Sequence, residues 1–187
     1  MLCAGVAAGG CVRDPAEAQC PALGEGDLVV TEIGGPQTGR DTLQPWIELY
    51  NASGSSVDLL GVKVRFRRIS GAGENDTIVR RSLVVPAGAY VVLGLDDDTA
   101  RESYLDYGFS GDFHVSWPSS AAVDVEVCNT LIDRAQYGSL PRTGTYSLGT
   151  KPPTAAANEV AANWCTDTTA NPGSFPGTPQ KANTACP

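Results

Sequence analysis

Two glutamates stand inside apolar runs of the chain. Glu32 lies in VVTEI and Glu48 lies in WIELYN. A pair of carboxylates is what glycosidases use as general acid and general base. The alternative is a structural role, at a solvent-washed or hydrogen-bonded position on a sheet, with Trp46 and Tyr50 on the same strand face as Glu48. Because nothing in the sequence supplies a substrate cleft, we favour the structural role and expect Glu48 to face water on the outside of the sheet.

Cations alternate with apolar residues in GVKVRFRR. Strand geometry places Lys63, Arg65 and Arg67 on one face, and Arg80 or Arg81 joins that face if TIVRRSLVV is the hairpin partner. Taking four cations from a chain of net charge -8 leaves -12, which indicates segregated charge. Such a strip could bind phosphate, DNA or an acidic polysaccharide. The alternative, which we favour, is that these charged side chains keep the protein soluble and hinder the pairing of an edge strand with another chain.

Two other groups have suitable residue types without the required context. His114 is the only histidine, but no G-x-S-x-G nucleophile turn accompanies it. Asp96, Asp97 and Asp98 could bind calcium, but the spacing and central glycine of an EF-hand are absent. We interpret the histidine as a surface group and the aspartates as a solvated loop. We therefore expect no catalytic residues, no metal and no cofactor.

The cysteines indicate disulfides, because no CxxC or Cys/His cluster with zinc spacing occurs. Residues 1–11, MLCAGVAAGGC, are apolar and rich in small residues, as in an export signal. The sequence before Cys11 is also similar to a bacterial lipoprotein cleavage site. Cleavage there would remove Cys3 and lipidate Cys11, leaving four cysteines that can pair in three ways. The alternative is an apolar N-terminus without a targeting role; we favour export.

Short strands are the elements that would position these groups. Residues 12–26 are polar and contain proline and glycine, which is typical of a tether. We expect a kink at Gly61, a hairpin loop at 70–76 and a helical turn near 100–104. No sustained helical period occurs, so the pattern predicts one all-β domain, an antiparallel β-sandwich. The predicted strands are 27–33, 45–51, 57–69, 77–85, 90–95, 113–117, 122–128 and 130–137.

An ordered set of motifs resembles the lamin-tail domain family. The set comprises VVTEI, WIELYN, VDLLGVKV, LVVPAGAYVVLG, VEVCNTLIDRAQYG and the closing TYSLG, NWC and PGSFPGTPQKAN, over about residues 27–183. Two features depart from the family: Val62 replaces its usual tryptophan, and the cysteines have no counterpart in nuclear lamins. The resemblance implies an immunoglobulin-like sandwich of the type that is widespread in secreted bacterial proteins, without catalytic activity.

These observations predict three parts: an export or lipoprotein-like segment (1–11), a tether (12–26) and a lamin-tail domain (27–187). Among the three disulfide pairings we favour Cys165–Cys186, which would lock the strand-poor tail, together with Cys20–Cys128. We expect an exported protein, secreted or held at the cell surface by lipid, that acts in recognition or scaffolding. Its partner would be a protein, a cell-surface ligand or a polyanion, and it would meet the membrane only through the lipid anchor. A carboxylate hydrolase is the remaining alternative.

Overall fold

The computed structural model describes residues 19–37, 44–71, 73–113, 116–171 and 176–187. Strands predominate, with one helix of four residues, α1 (Ala155–Asn158), and short 3-10 turns at Ser110–Asp112 and Ala161–Asn163. The strands are β1 (Leu28–Gly34), β2 (Trp46–Asn51), β3 (Val57–Asp58), β4 (Val62–Arg68), β5 (Glu74–Ile78), β6 (Val84–Val85), β7 (Tyr90–Gly94), β8 (Tyr107–Gly108), β9 (Ala121–Val127), β10 (Thr130–Tyr137), β11 (Thr145–Leu148) and β12 (Trp164–Asp167).

Two sheets form the sandwich. The larger has six strands in the order β12-β11-β1-β2-β7-β8, and the smaller has four in the order β10-β9-β4-β5. Strands β3 and β6 form a separate pair. All pairings are antiparallel except the parallel contact of β7 with β8. Strands make up 38% and helices 6% of the described residues, and the fold class predicted from the sequence, an immunoglobulin-like antiparallel β-sandwich, is confirmed.

The core lies between the sheets and follows the alternation of the strands. Ile47 and Leu49 of β2 point inward from the six-stranded sheet, and Val64 and Phe66 of β4 point inward from the four-stranded sheet. All four are fully buried. Each such side chain contributes roughly 1.5–3 kcal/mol by leaving water. Alternation of this kind is what makes a strand recognisable in a sequence.

The outer face of the six-stranded sheet is also covered. Trp46 and Val92 point outward, and Tyr104 and Leu105 from the loop after β7 pack on them as a second cluster. All residues of β1, and all of β2 except Tyr50, are buried. This sheet therefore has no solvent-washed face at its centre, although antiparallel sheets often have one.

The predicted strand at 57–69 is broken at Gly61. Its φ is +89°, and a Cβ at this position would lie 2.1 Å from the carbonyl oxygen of Gln19. Only glycine combines that dihedral angle with so close an approach of the tether. The chain therefore changes sheets, with β3 pairing with β6 while β4 enters the four-stranded sheet. The predicted kink is an interruption between two strands.

Four other predicted elements differ from the structure. The predicted loop at 70–76 is shorter, since β5 begins at Glu74, and the predicted strand at 77–85 is split between β5 and β6. Where a helical turn was predicted near 100–104, the structure has non-helical turns at 98–100 and 103–104. Phe113 and Trp117, from the strand predicted at 113–117, instead pack as aromatic side chains against Phe66 of the core.

Two disulfides join the first and last described segments to the sandwich. Cys20 is bonded to Cys128 and Cys165 to Cys186, which are the pairs favoured in the sequence analysis. Disulfides of this kind persist in oxidising compartments, so they fit an extracellular environment. None of the helices in the described part of the chain has the length and apolar character needed to cross a membrane.

Candidate functional site

The register of two central strands places Glu32 directly opposite Glu48. Strand β1 pairs with β2 in antiparallel fashion, and the Cα atoms of the two glutamates are partners. An irregularity between Val30 and Glu32 interrupts the ladder, as in a β-bulge. At that irregularity the hydroxyl of Thr31 donates to Glu48 Oε1 at 2.8 Å. Two carboxylates and a hydroxyl are thereby gathered at one place on the sheet.

Both glutamates are fully buried, with no exposed surface. The expectation that Glu48 faces water is therefore wrong. The cause is residues 176–187, here named the C-terminal strap, which crosses the outer face of the six-stranded sheet beside the loop that covers Trp46. The hydrogen-bonded alternative for Glu48, weighed together with the exposed one, is the arrangement that the structure contains.

The C-terminal strap is held by hydrogen bonds to these buried groups. Its Thr178 N–H donates to Glu32 Oε1 at 3.1 Å, and its Gln180 N–H donates to Glu48 Oε2 at 2.7 Å. The side-chain amide of Asn183 donates to the carbonyl oxygen of Thr31 at 2.7 Å. The disulfide from Cys186 to Cys165 on β12 fastens the far end. The carboxylates are thus acceptors for a segment with little regular structure of its own.

Strand β11 supplies further donors to Glu32. The hydroxyl of Thr145 donates to Oε1, and the hydroxyl of Ser147 donates to the same oxygen at 2.9 Å. A Cβ added to Gly177 would lie 2.7 Å from that oxygen and equally close to the Thr145 hydroxyl. The residue at 177 must therefore be glycine for the strap to approach this closely.

Burial raises the pKa of both carboxyl groups. For Glu32, desolvation outweighs the opposing hydrogen bonds from Thr145, Thr178 and Ser147. For Glu48, desolvation and then the negative charge of Glu32 raise the pKa well above its ordinary value of 4.5. A raised pKa is also what a general acid needs. Here, however, the pair lies beneath the strap, and its oxygens already accept hydrogen bonds from other residues of the protein.

The basic strip predicted on β4 is present but is not segregated. Lys63 lies 3.2 Å from Asp76, and Arg65 lies 3.0 Å from Glu126. Arg67 lies 2.6 Å from Asp124, which is almost fully buried and also pairs with Arg134. The face thus carries four cations and four carboxylates: Lys63, Arg65, Arg67 and Arg134 with Glu74, Asp76, Asp124 and Glu126. The expectation of segregated charge on this face is therefore wrong.

Neither Arg80 nor Arg81 joins that face, because the chain leaves the sheet after Ile78. The guanidinium of Arg80 pairs with Asp112. That of Arg81 makes a two-point contact with Asp98, at 2.7 and 2.9 Å, and lies over an aromatic ring. Both arginines thus lie in the segment between β5, which ends at Ile78, and β6, which begins at Val84. Polyanion binding by the five cations stays a prediction.

The acidic loop is internally bonded. Asp98 pairs with Arg81, Asp97 accepts from the hydroxyl and N–H of Thr99, and Asp96 accepts from the N–H of Glu102. Among the described residues, no cluster of three or more histidine, cysteine or acidic side chains is arranged to hold a metal. The predictions for His114 and for a lipidated Cys11 fall on residues outside the described ranges.

Sequence reasoning missed the partners of the glutamates. Thr145, Ser147, Thr178 and Asn183 lie more than 100 residues from Glu32 and Thr31 in the chain, so no local pattern connects them. A weak signal was present in the closing stretch GTPQKAN, where polar residues with hydrogen-bonding side chains recur beside glycine.

The chain is thus an all-β sandwich with two disulfides. Its two fully buried glutamates accept hydrogen bonds from the C-terminal strap of the same chain. Comparison with protein-family models gave no match, and the search among curated proteins gave none either.

Proposed function

We propose that this protein is a non-catalytic recognition or scaffolding module of the lamin-tail class, exported and tethered at the cell surface or secreted. The observation that carries the proposal is that the carboxylate pair is closed off from solvent. Glu32 and Glu48 have no exposed surface, and the C-terminal strap donates backbone hydrogen bonds to both. A glycosidase needs room for a sugar ring between its two carboxyl groups. Opening that room would require removal of the strap.

The disulfides support an extracellular site of action. One joins the tether to the β9–β10 turn, and the other joins β12 to the strap, so each end of the described chain is fixed to the sandwich. Extracellular modules gain protection from proteolysis when their termini are held in this way. The lipid anchor at Cys11 and the membrane proximity that it implies are part of the proposal.

The polyanion alternative has less support. Each cation of the β4 face lies within 4 Å of a carboxylate, so an incoming phosphate or sulfate would have to displace an existing partner. Counterion release, which drives polyanion binding, is small when the cations are already neutralised.

Two assays on the full chain test the proposal. The first measures hydrolysis of chromogenic glycosides, esters and phosphodiesters by the wild type and by Glu48→Gln. The second measures retention of both proteins on immobilised cell-envelope polysaccharide and protein from a bacterium that exports disulfide-bonded proteins. We expect no turnover and equal, saturable retention. Turnover that is lost in a folded Glu48→Gln variant would contradict the proposal.

A further inference from the structure

The C-terminal strap buries little of its own surface. Its only buried residues are Gly177, Pro179 and Asn183, and none of its residues belongs to the hydrophobic core between the sheets. Its hydrogen bonds to the sheet replace hydrogen bonds to water, so each adds little net stability, whereas ordering an irregular segment costs conformational entropy at every residue. The hydrogen bonds position the strap, but the disulfide from Cys186 to Cys165 is what keeps it in place.

The two sulfur atoms of this disulfide have different surroundings. Cys186 Sγ lies 3.3 Å from the carbonyl oxygen of Asn163, and a Cβ added to Gly149 would lie 2.6 Å from it, so this sulfur packs on the main chain. Cys165 is half-buried and lines a cavity of about 280 Å³ between β12 and the end of the strap. A small thiol in the cavity therefore meets Cys165 first. The exposed walls of the cavity include Thr166, Thr169, Thr184 and Pro187.

We propose that the Cys165–Cys186 disulfide is a redox switch, which a dithiol opens to release the C-terminal strap and uncover Glu32 and Glu48. The disulfide is the single covalent link between the strap and the sheet that it covers among the described residues. The switch goes beyond the proposed recognition function and does not depend on it.

Thiol–disulfide exchange supplies the chemical step. One thiolate of the dithiol attacks Cys165 Sγ, the S–S bond breaks, and Cys186 leaves as a thiolate that takes a proton from water. The second thiolate of the dithiol then displaces Cys165, which is protonated in turn, and the dithiol becomes a disulfide. Two electrons thus pass from the dithiol to the protein. Because the mixed disulfide forms on β12, the strap is already free after the first attack.

Release changes the surroundings of the carboxylate pair and leaves the sandwich folded. The main-chain donors of the strap leave both glutamates, but donors from the sheet stay, with Thr31 bonded to Glu48 and Ser147 bonded to Glu32. The pair therefore remains assembled and faces water. The open form presents two carboxyl groups and two hydroxyl groups that the closed form covers.

Amide hydrogen exchange of the full chain, followed by NMR, tests the switch with dithiothreitol as the dithiol. The test protein retains only the cysteines of the switch, through the substitutions Cys3→Ser, Cys11→Ser, Cys20→Ser and Cys128→Ser. Dithiothreitol should speed exchange of the Thr178 and Gln180 amides about a hundredfold or more, because they lose their acceptors. The amides of Ile47 and Phe66, on central strands of the two sheets, should be unaffected. Reoxidation should restore the protection of the strap.

The matched control retains Cys20 and Cys128 and carries Cys3→Ser, Cys11→Ser, Cys165→Ser and Cys186→Ser. Its strap amides should exchange as fast as those of the reduced test protein, with or without dithiothreitol. Alkylation and mass spectrometry count the free thiols in each sample.

Three results would each overturn the proposal. The first is a strap that stays protected in the test protein once both thiols are free. The second is slow exchange of the strap amides in the control. The third is equal acceleration at Ile47 and Phe66, which would show that reduction unfolds the sandwich instead of releasing the strap. Turnover of a chromogenic substrate by the reduced protein alone would contradict the non-catalytic function and leave the switch standing.

Discussion

At the scale of single residues, burial decides what an acidic side chain does. Glu48 and Asp76 both lie on strands, but Glu48 has no exposed surface whereas the Asp76 side chain is 51% exposed. The buried carboxylate has a raised pKa and fixed donors, and the exposed one forms a screened pair with Lys63. The same chemical group is an internal anchor in one place and a solubilising charge in the other.

The first prediction concerns the pH dependence of stability. The folded-state pKa of Glu48 is raised above its ordinary value of 4.5, so its contribution is fully present below that pH and is lost as pH rises through the folded pKa. The variant Glu48→Gln cannot ionise there. The free energy of unfolding of the wild type, relative to the variant, should therefore fall as pH increases. Urea unfolding of both proteins from acid to alkaline pH measures this, and parallel curves would disprove it.

The second prediction compares two aspartates of the β4 face. Asp124 is 1% exposed and accepts hydrogen bonds from Arg67 and Arg134, whereas Asp76 is half exposed. Asp124→Ala leaves two guanidinium groups without their shared acceptor and should cost about 2–3 kcal/mol. Asp76→Ala, the matched control, should cost about 0–1 kcal/mol. Equal losses in chemical denaturation would contradict the assigned roles.

At the scale of elements, the strands were more predictable than their surroundings. The alternation of Ile47 and Leu49 with polar or aromatic neighbours is local, so β2 could be predicted with its inward face. The burial of Glu48 depends on Gln180, which lies 132 residues away in a segment without strand or helix periodicity. Sequence alternation distinguishes the faces of a strand, but it carries no information on what later covers the outer face.

The β4 face shows the same limit. Alternation correctly placed Lys63, Arg65 and Arg67 on one side, but their partners come from β5 and β9 through a sheet order that the sequence does not display. Arg80 and Arg81 were misplaced because β5 ends at Ile78, and their guanidinium groups pair with Asp112 and Asp98 instead. Tertiary contacts overrode the local preference.

A third prediction follows for this face. The wild type should bind heparin weakly, with little dependence on salt, because its cations are paired. The variant Glu74→Gln/Asp76→Asn/Glu126→Gln removes three of those partners and should bind more tightly at low salt, with a steep loss as salt rises. Strong, salt-sensitive binding by the wild type that is lost in Arg65→Ala/Arg67→Ala/Arg80→Ala would instead support the polyanion alternative.

A fourth prediction concerns the approach of the strap to the sheet. Gly177 has φ of +144°, and a Cβ there would meet Glu32 and Thr145 at 2.7 Å. Gly177→Ala should therefore destabilise the protein by about 1–3 kcal/mol. Gly111→Ala is the matched control, since a Cβ at that position has open space around it. The prediction fails if thermal unfolding shows the two variants to be equally stable.

At the scale of the whole molecule, disulfides hold both ends of a sandwich whose outer sheet face is covered by irregular segments. The link from Cys165 to Cys186 spans 21 residues, and that from Cys20 to Cys128 spans 108. The covered sheet and the closed carboxylates support the proposed recognition function over chemistry at those two glutamates.

The fifth prediction separates the two disulfides. Cys165→Ser/Cys186→Ser should cost about 3 kcal/mol and should make the strap the first site of limited proteolysis. Cys20→Ser/Cys128→Ser should leave the strap protected and expose the tether. Mass spectrometry of early fragments identifies the cut sites, and identical fragments from both variants would refute the separate roles.

The central claim is that Glu32 and Glu48 are anchors for the C-terminal strap. The most direct measurement is a pH titration of their side-chain carboxyl carbons by NMR, recorded together with the amide protons of Thr178 and Gln180. Both carboxyl groups should titrate above 4.5, and the two amide signals should shift in step with them while remaining protected from exchange. Titration at the ordinary value, with rapidly exchanging strap amides, would contradict the claim and reopen the pair to catalysis.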